Sequence, residues 1–472
     1  MTNYNISVKQ FIEESKAGNI DYKDFVSKYQ EAVRLADKKF NLFNTLLDLK
    51  PTKPEPLFYG LPVSFKDSIC VKGVQSAAGS KILEGYKPTF DATVVERIKG
   101  HGCSVIGKTN QDEFGFGTFS TNSGFQIPKN PLDPTRSCGG SAGGAAGIIA
   151  ALDLSQISIG ESTGGSISAP AAFTGTVGLT PTYGLVSRYG LIDYANSLDK
   201  IGPIGKSVWD VALALSVIAG QDPKDSTTVK KEYEYYPDYL NTDVDNMKIG
   251  IPKEYFSEGV DKKVADCVWD GIKKLESLGI KYEEVSLPHT KYSLAAYYII
   301  ATAEASTNLA KFSGIRYGAE EEIEGTFNEY FSKVRTKYLG KEAKRRILLG
   351  TFARMAGYRD QYYLKALKVR TLVIQDFKKA FKRIDALVAP TMPVIAPKFS
   401  EIEKLTPLEN YAMDILTVAP NLAGIPMLSV PCGQVNSMPV GLHIMGNHLQ
   451  EKTVLKTGYL LEKYNRIKRT AR

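Results

Sequence analysis

An α/β architecture, with a mixed and mostly parallel central sheet covered by helices on both faces, is the fold class this sequence predicts. Two observations carry it. Short β-forming runs alternate with amphipathic helical stretches from residue 60 onward, and alternation of that kind layers helices on parallel strands. The composition is that of a packed globular protein: 43% of the 472 residues are hydrophobic and 23% charged, which excludes a disordered, collagenous or coiled-coil chain. At ~150 residues per domain the length suits two to four domains or one large unit.

The elements follow in order. Val8, Phe11 and Ile12, then Phe25, Tyr29, Val33 and Leu35, recur at helical spacing and predict an N-terminal helical segment over residues 1–55. Leu61, Val63 and Phe65 alternate with Ser64, Lys66 and Ser68, the pattern of a strand with one polar face. Asp91 opens a short helix (Val94, Val95, Ile98) that Gly102 closes, and Val105 and Ile106 resume as strand. A Gly/Ala-rich helix leads to a strand at Ile157 to Ile159. A strand at Met247 to Ile251, a helix through Val264, Val268, Ile272 and Leu275, and a strand at Ile280 to Val285 come next. Residues 290–382 read as a Tyr-, Arg- and Lys-rich helical insertion in a second unit that spans 56–472. Strands return at Ala386 to Ala389, Met427 to Val430 and Val440 to Met445, before a final helix from Leu449. The charged stretch from Asp222 to Asp245 reads as the softest connection.

Fifty-nine basic and 51 acidic residues give +8, compatible with nucleic acid nearby but not demanding it. Lys463, Arg466, Lys468, Arg469 and Arg472 form a basic tail that reads as a solvated helix end. The five cysteines are widely spaced with no C-x-x-C pair, which suits a reducing cytosol rather than a disulfide framework or zinc ribbon. The N-terminus lacks the apolar core of a signal peptide, and no apolar run approaches ~18 residues. A soluble, cytoplasmic protein with no membrane contact is the expectation.

Two motif matches fail on context. Gly102 to Thr109 (GCSVIGKT) fits G-x-x-x-x-G-K-[ST], but Gly102 ends a helix and Val105-Ile106 fill the supposed phosphate loop with β-formers. Gly139 to Gly143 (GGSAG) fits G-x-S-x-G, yet a proline-punctuated loop at 130–138 stands where a hydrophobic strand should precede the serine. Of the four histidines, His443 alternates with Leu442 and Ile444 in a strand and reads as a satisfied structural residue.

Lys66 in LPVSFKDSI, Ser141 in CGGSAGGAAG and Ser166 in GESTGGSISAPAAF remain, a constellation without histidine. Together they supply what acyl transfer needs. A serine hydroxyl is a poor nucleophile without a base. A lysine serves as that base only when neutral, and a second serine can pass the proton between them. Consecutive backbone N–H groups in a Gly-rich turn can meet the oxyanion.

The run from Ser141 through Gly184 resembles the amidase signature family, and the likeness extends to Gly446. The resemblance implies the amidase signature fold and a Ser–cis-Ser–Lys triad. Ser166 would be the acyl-ester nucleophile, Ser141 the bridging serine on a cis peptide bond, and Lys66 the base. Backbone amides of Thr163, Gly164 and Gly165 would form the oxyanion hole. Stretches at Arg188 to Val208, Ala303 to Gly318, Lys344 to Ala353 and Asp414 to Gly433 resemble one branch, the glutaminase subunits of tRNA-dependent amidotransferases. That branch implies glutamine as substrate, with Asp414 on its α-ammonium and one arginine of the Arg345-Arg346 pair, Arg346 preferred, on its α-carboxylate. It implies no metal or cofactor in this chain. ATP and Mg²⁺ would be used by a partner, the partners being amidotransferase subunits B and C. The acceptor would be misacylated Glu-tRNA(Gln) and/or Asp-tRNA(Asn), held by the complex. The alternative is a free-standing amidohydrolase of the same family acting on another amide. Three positions depart from the family pattern: Ala142 replaces a second serine, Ser162 the usual Asp, and Ser168 the usual Arg.

Overall fold

The computed structural model describes residues 4–49, 57–242, 246–257 and 259–470, with side chains to residue 465. The boundary expected near residue 55, the end of the 222–245 connection and most of the basic tail's side chains lie outside them.

Thirteen strands occur among the described residues. They are β1 Phe43–Leu46, β2 Pro62–Lys66, β3 Ser104–Thr109, β4 Lys129–Asn130, β5 Asp133–Ser137, β6 Ile157–Ser162 and β7 Val177–Thr180. After these come β8 Lys200–Gly205, β9 Lys248–Pro252, β10 Lys281–Val285, β11 Ala386–Pro390, β12 Met427–Val435 and β13 Met438–Gly446. Eleven form one mixed sheet in the order β1-β3-β2-β6-β8-β7-β12-β13-β11-β9-β10, and β4-β5 pair separately. The pairs β3–β2, β2–β6, β11–β9 and β9–β10 are parallel. Pairing through the centre, from β6 to β11, is antiparallel, as is the edge pair β1–β3. The parallel share is therefore smaller than the alternation implies. The two-residue connection between β12 and β13 can only make a hairpin, since a parallel return needs a long crossover.

Helices cover both faces. Gly458 of the helix Glu451–Thr470 sits against Leu428 and Ile444, while Ala172 of the helix Ser168–Thr174 sits against Gly441. Leu428 and Ile444 are register partners, and Gly441 is an odd number of residues away, so the two helices lie on opposite faces.

Several elements differ from the sequence reading. The N-terminal helices Val8–Lys16 and Tyr22–Phe40 form as expected, the first closed by a Ser7–Gln10 capping box and the second by Asp21. Phe11, Phe25, Tyr29 and Val33 are buried, but Leu35 is 62% exposed and belongs to the solvent face. After these helices comes a strand, β1, that helical periodicity hides; it pairs Phe43 with Thr109. β2 has no solvent face: Ser64 and Lys66 are as buried as Val63 and Phe65, Ser64 bonding the Ser158 hydroxyl of β6 at 2.7 Å and Lys66 meeting Ser141 and Glu161. Ala92 rather than Asp91 precedes the helix Thr93–Gly100; the Asp91 carboxylate instead accepts from the Lys72 N–H and Lys99 Nζ. The loop expected at 130–138 is largely the β4–β5 hairpin. The connection from Asp222 is pinned: its buried carboxylate accepts from Thr93 Oγ1 and Ser187 Oγ, each at 2.6 Å. Among the described residues no helix is long and apolar enough to cross a membrane.

Candidate active site

β2, β3 and β6 run parallel, so the segments that follow them leave the sheet at one end, the carboxyl end, where side chains from distant parts of a chain can converge. Lys66 is the last residue of β2, and the β6 loop carries Thr163 to Ser166. The stretch after β3 runs through Asp112 to Ser141 at the start of the Gly/Ala-rich helix Gly143–Ala151. Its first five residues, Gly143 to Gly147, are glycines and alanines and are all buried, so small side chains let this end press against the site.

Lys66 Nζ donates to Ser141 Oγ at 2.7 Å, and the Gly140–Ser141 peptide bond is cis. The Ala142 N–H donates to the Ser166 carbonyl at 3.1 Å, tying the two serine segments together. Lys66 and Ser141 are fully buried, while Ser166 is 6% exposed, the accessible member of the three. Among the described residues the backbone N–H groups of Thr163, Gly164 and Gly165 have no recorded acceptor, as oxyanion donors require. A Cβ at Gly165 would come within 2.5 Å of Thr417 Oγ1. One at Gly140 would stand 2.3 Å from Asp112 Oδ2 and 2.6 Å from the Ser120 nitrogen. Gly140→Ala is accordingly expected to shift Ser141 and slow labelling of this site by a serine-directed fluorophosphonate by on the order of 100-fold. Unchanged labelling would mean that the loop tolerates the displacement.

A buried acid group lies behind Lys66. Its Nζ also donates to Glu161 Oε2 at 2.8 Å and to the Glu161 carbonyl at 2.9 Å. Thr163 Oγ1 sits 2.8 Å from Glu161 Oε1 and 2.7 Å from Asp199 Oδ1. Burial, reinforced by the neighbouring Glu161 charge, pushes the Asp199 carboxyl well above the usual carboxylate range. Asp112 accepts from the Ser120 and Asn122 N–H groups, and burial pushes its carboxyl up to about 6.

A cavity of ≈ 290 Å³, near the small end of ligand sites, is lined by Thr118, Asn122, Glu342, Arg345, Arg346 and Tyr411. Larger hollows of ≈ 610, ≈ 640 and ≈ 430 Å³ lie beside the N-terminal helix, beside β12 and against the helix Phe327–Tyr338. Asp414 sits behind Thr118, accepting from its Oγ1 at 2.9 Å and from the Tyr298 hydroxyl at 2.6 Å. Burial raises its carboxyl above the usual range. The two arginines of the expected pair differ. Arg346 is 3% exposed, donates through Nε to Glu342 at 2.9 Å and through Nη1 to the Tyr194 hydroxyl at 2.6 Å, and faces the Tyr298 and Tyr411 rings. Arg345, a third exposed, pairs with the other Glu342 oxygen at the rim. Arg346 is thus the one directed inward, with guanidinium donors left for a carboxylate.

Other sequence readings find their places. Lys108, the lysine of the phosphate-loop pattern, is buried in β3 and donates to Ser76 Oγ at 2.7 Å. His443 is a structural strand residue but not a satisfied one: neither ring nitrogen has a recorded partner, and burial next to Lys200 lowers it to about 3. Ala142 is buried, and the hydroxyls of Ser162 and Ser168 are buried without a recorded partner. Glu161, Asp199, Thr118, Tyr298 and Glu342 escaped sequence reasoning. Glu161 alone had a local signal, an acid inside the apolar strand ISIGES beside the parallel strand that carries Lys66.

The family model Amidase matches residues 8–455. A Methanococcoides burtonii protein, named as the A subunit of glutamyl-tRNA(Gln) amidotransferase, is 51% identical over 404 residues, covering 86% of this chain and 84% of its own. The Methanosarcina mazei protein of the same name is 48% identical over 465 residues, covering 97% and 95%. The crystal structure of the glutamyl-tRNA(Gln) amidotransferase A subunit from Thermotoga maritima superposes with a TM-score of 0.84 at 35% identity, covering 98% of this chain and 96% of that one.

Proposed function

The chain belongs to the amidase family, and from that premise we propose that it is the glutamine-hydrolysing subunit of a tRNA-dependent amidotransferase. The observation that carries the reading is the 2.7 Å bond from Lys66 to Ser141, in a site that also holds a buried acid, Asp414, and a buried guanidinium, Arg346. Acyl-transfer groups thereby sit beside one charge for each end of a zwitterionic amino acid. Near-full-length identity to proteins named as that subunit supports the same reading.

In this mechanism Asp414 holds the α-ammonium of glutamine and Arg346 its α-carboxylate, which presents the side-chain amide to Ser166. The Ser166 hydroxyl attacks the amide carbon; its proton passes through Ser141 Oγ to neutral Lys66. The oxyanion rests on the N–H groups of Thr163, Gly164 and Gly165. The proton returns by the same path to the leaving nitrogen, ammonia departs, and a γ-glutamyl ester remains on Ser166. Water, deprotonated by the same relay, cleaves the ester and releases glutamate.

Ammonia is useful only where a second site consumes it. We assign the ATP- and Mg²⁺-dependent activation of misacylated tRNA to partner chains, amidotransferase subunits B and C. In this chain the stretch that matches a phosphate loop is the strand β3. A cytoplasmic setting agrees with the free thiols of all five cysteines. Glutamine, ATP and misacylated tRNA, incubated with the chain alone and with its partners, test the assignment. Amidated aminoacyl-tRNA is expected only with the partners present. Product from the chain alone would overturn it, and equal hydrolysis of unrelated amides would favour a free-standing amidohydrolase.

A further inference from the structure

We propose that Glu161 is the positioning residue and counter-ion of the Lys66 base, backed by a neutral Asp199 through the Thr163 hydroxyl. The inference rests on the reading of Lys66 as the base for Ser166.

Hydrogen-bond accounting leads to it. A neutral lysine amine carries two hydrogens and one lone pair, and to take a proton from Ser141 the lone pair must face Ser141 Oγ. Lys66 Nζ has three recorded partners, Ser141 Oγ, Glu161 Oε2 and the Glu161 carbonyl. Both partners other than Ser141 belong to Glu161, so that one residue absorbs both N–H groups of the amine and leaves the lone pair aimed at Ser141. When the proton arrives, the Glu161 carboxylate, itself 3% exposed, neutralises the ammonium where water cannot.

The groups behind Glu161 determine which acid is charged. The Thr163 hydroxyl has one proton yet lies within hydrogen-bond distance of two carboxyl groups, so one of those must donate to it. Asp199 is fully buried, 2.7 Å from Thr163, and already accepts from the Tyr194 and Ala195 N–H groups. It holds the proton, Thr163 donates to Glu161, and the negative charge stays on the residue that touches Lys66. Burial and the Glu161 charge raise Asp199 in agreement with that order. The other ionisable groups around Lys66 are Asp112, from the stretch after β3, and Arg346 beyond it. Asp67 and Lys108 face each other at 3.9 Å.

The pH dependence of kcat/KM for glutamine, measured on the partner-bound complex, separates this role from a merely structural one. Removing the negative charge lets Lys66 shed its proton more readily, so Glu161→Gln should move the acid limb to lower pH by about one unit or more. Because the Gln carbonyl can still accept from Nζ, the plateau should fall by no more than about tenfold. Glu161→Ala loses the aim as well, and its plateau should fall by on the order of 100-fold. Asp199→Asn replaces a neutral group by a neutral one and should leave the limb in place. Ser166 labelling by a fluorophosphonate across pH gives the same limb without turnover, on whichever variants are folded. Glu161 variants that lower the rate equally at every pH would overturn the proposal. An Asp199→Asn limb that moves as far as that of Glu161→Gln would also overturn it. Hydrolysis surviving in Lys66→Ala would instead strike the underlying assignment of the base, a separable result.

Discussion

Replacing Ser166 with alanine is expected to remove glutamine hydrolysis, by about 10⁶-fold on the scale that loss of a serine nucleophile reaches. The substitution deletes one hydroxyl and leaves the rest of the site in place. The contact tying this loop to the Ser141 segment is a backbone bond, Ala142 N–H to the Ser166 carbonyl, which alanine retains. Stability should therefore stay within about 0.5 kcal/mol of the parent in denaturant unfolding. Glutamine should still bind, since Asp414 and Arg346 are untouched. The partner-bound variant should also still amidate tRNA when ammonium chloride replaces glutamine. Glutamine-dependent ammonia release above about 1% of the parent rate would remove Ser166 from the nucleophile's role.

Lys66→Ala should act on two observables at once. Without the base, kcat/KM for glutamine should drop by about 10²- to 10⁴-fold. The second effect is on folding. Lys66 Nζ donates to the Glu161 carboxylate at 2.8 Å where the side chains are 0% and 4% exposed, and removing the donor leaves that buried oxygen unsatisfied, a loss of about 1–3 kcal/mol. Ser166→Ala and Lys66→Ala should thus share a loss of activity but differ in unfolding midpoint. Near-parental ammonia release by Lys66→Ala would show that another group takes the serine proton.

The convergence of Lys66, Ser141 and Ser166, the proposed catalytic residues, and the order of most elements are legible in the chain because each rests on local pattern. Alternation marks β2, short β-forming runs mark β6 and β11, and glycine clusters mark the two serine loops. What escapes is whatever depends on which elements become neighbours. The serine and lysine of β2 look like a solvent face, since alternation records polarity and says nothing of the destination of the polar side. β1 is hidden because its four residues directly follow a 19-residue helix and have meaning only opposite β3. Leu35 fits the helical period but falls on the exposed side, as an isolated surface leucine often does. The pairing of Glu161 with Lys66 spans 95 positions and that of Thr118 with Asp414 spans 296, distances at which no periodicity speaks. Arg346 could be named as one of two candidates, but only the packing of Glu342 and the tyrosines tells it apart from Arg345.

The separation between Thr118 and Asp414 also has a meaning in time. A chain leaving the ribosome at about 5–20 residues per second exposes base, bridge and nucleophile well before it makes the residue assigned to the glutamine ammonium. β13, a central strand that pairs with both β11 and β12, comes later still. On the assignments proposed above, a product truncated before Asp414 would carry Lys66, Ser141 and Ser166 without the acid that seats the ammonium of glutamine.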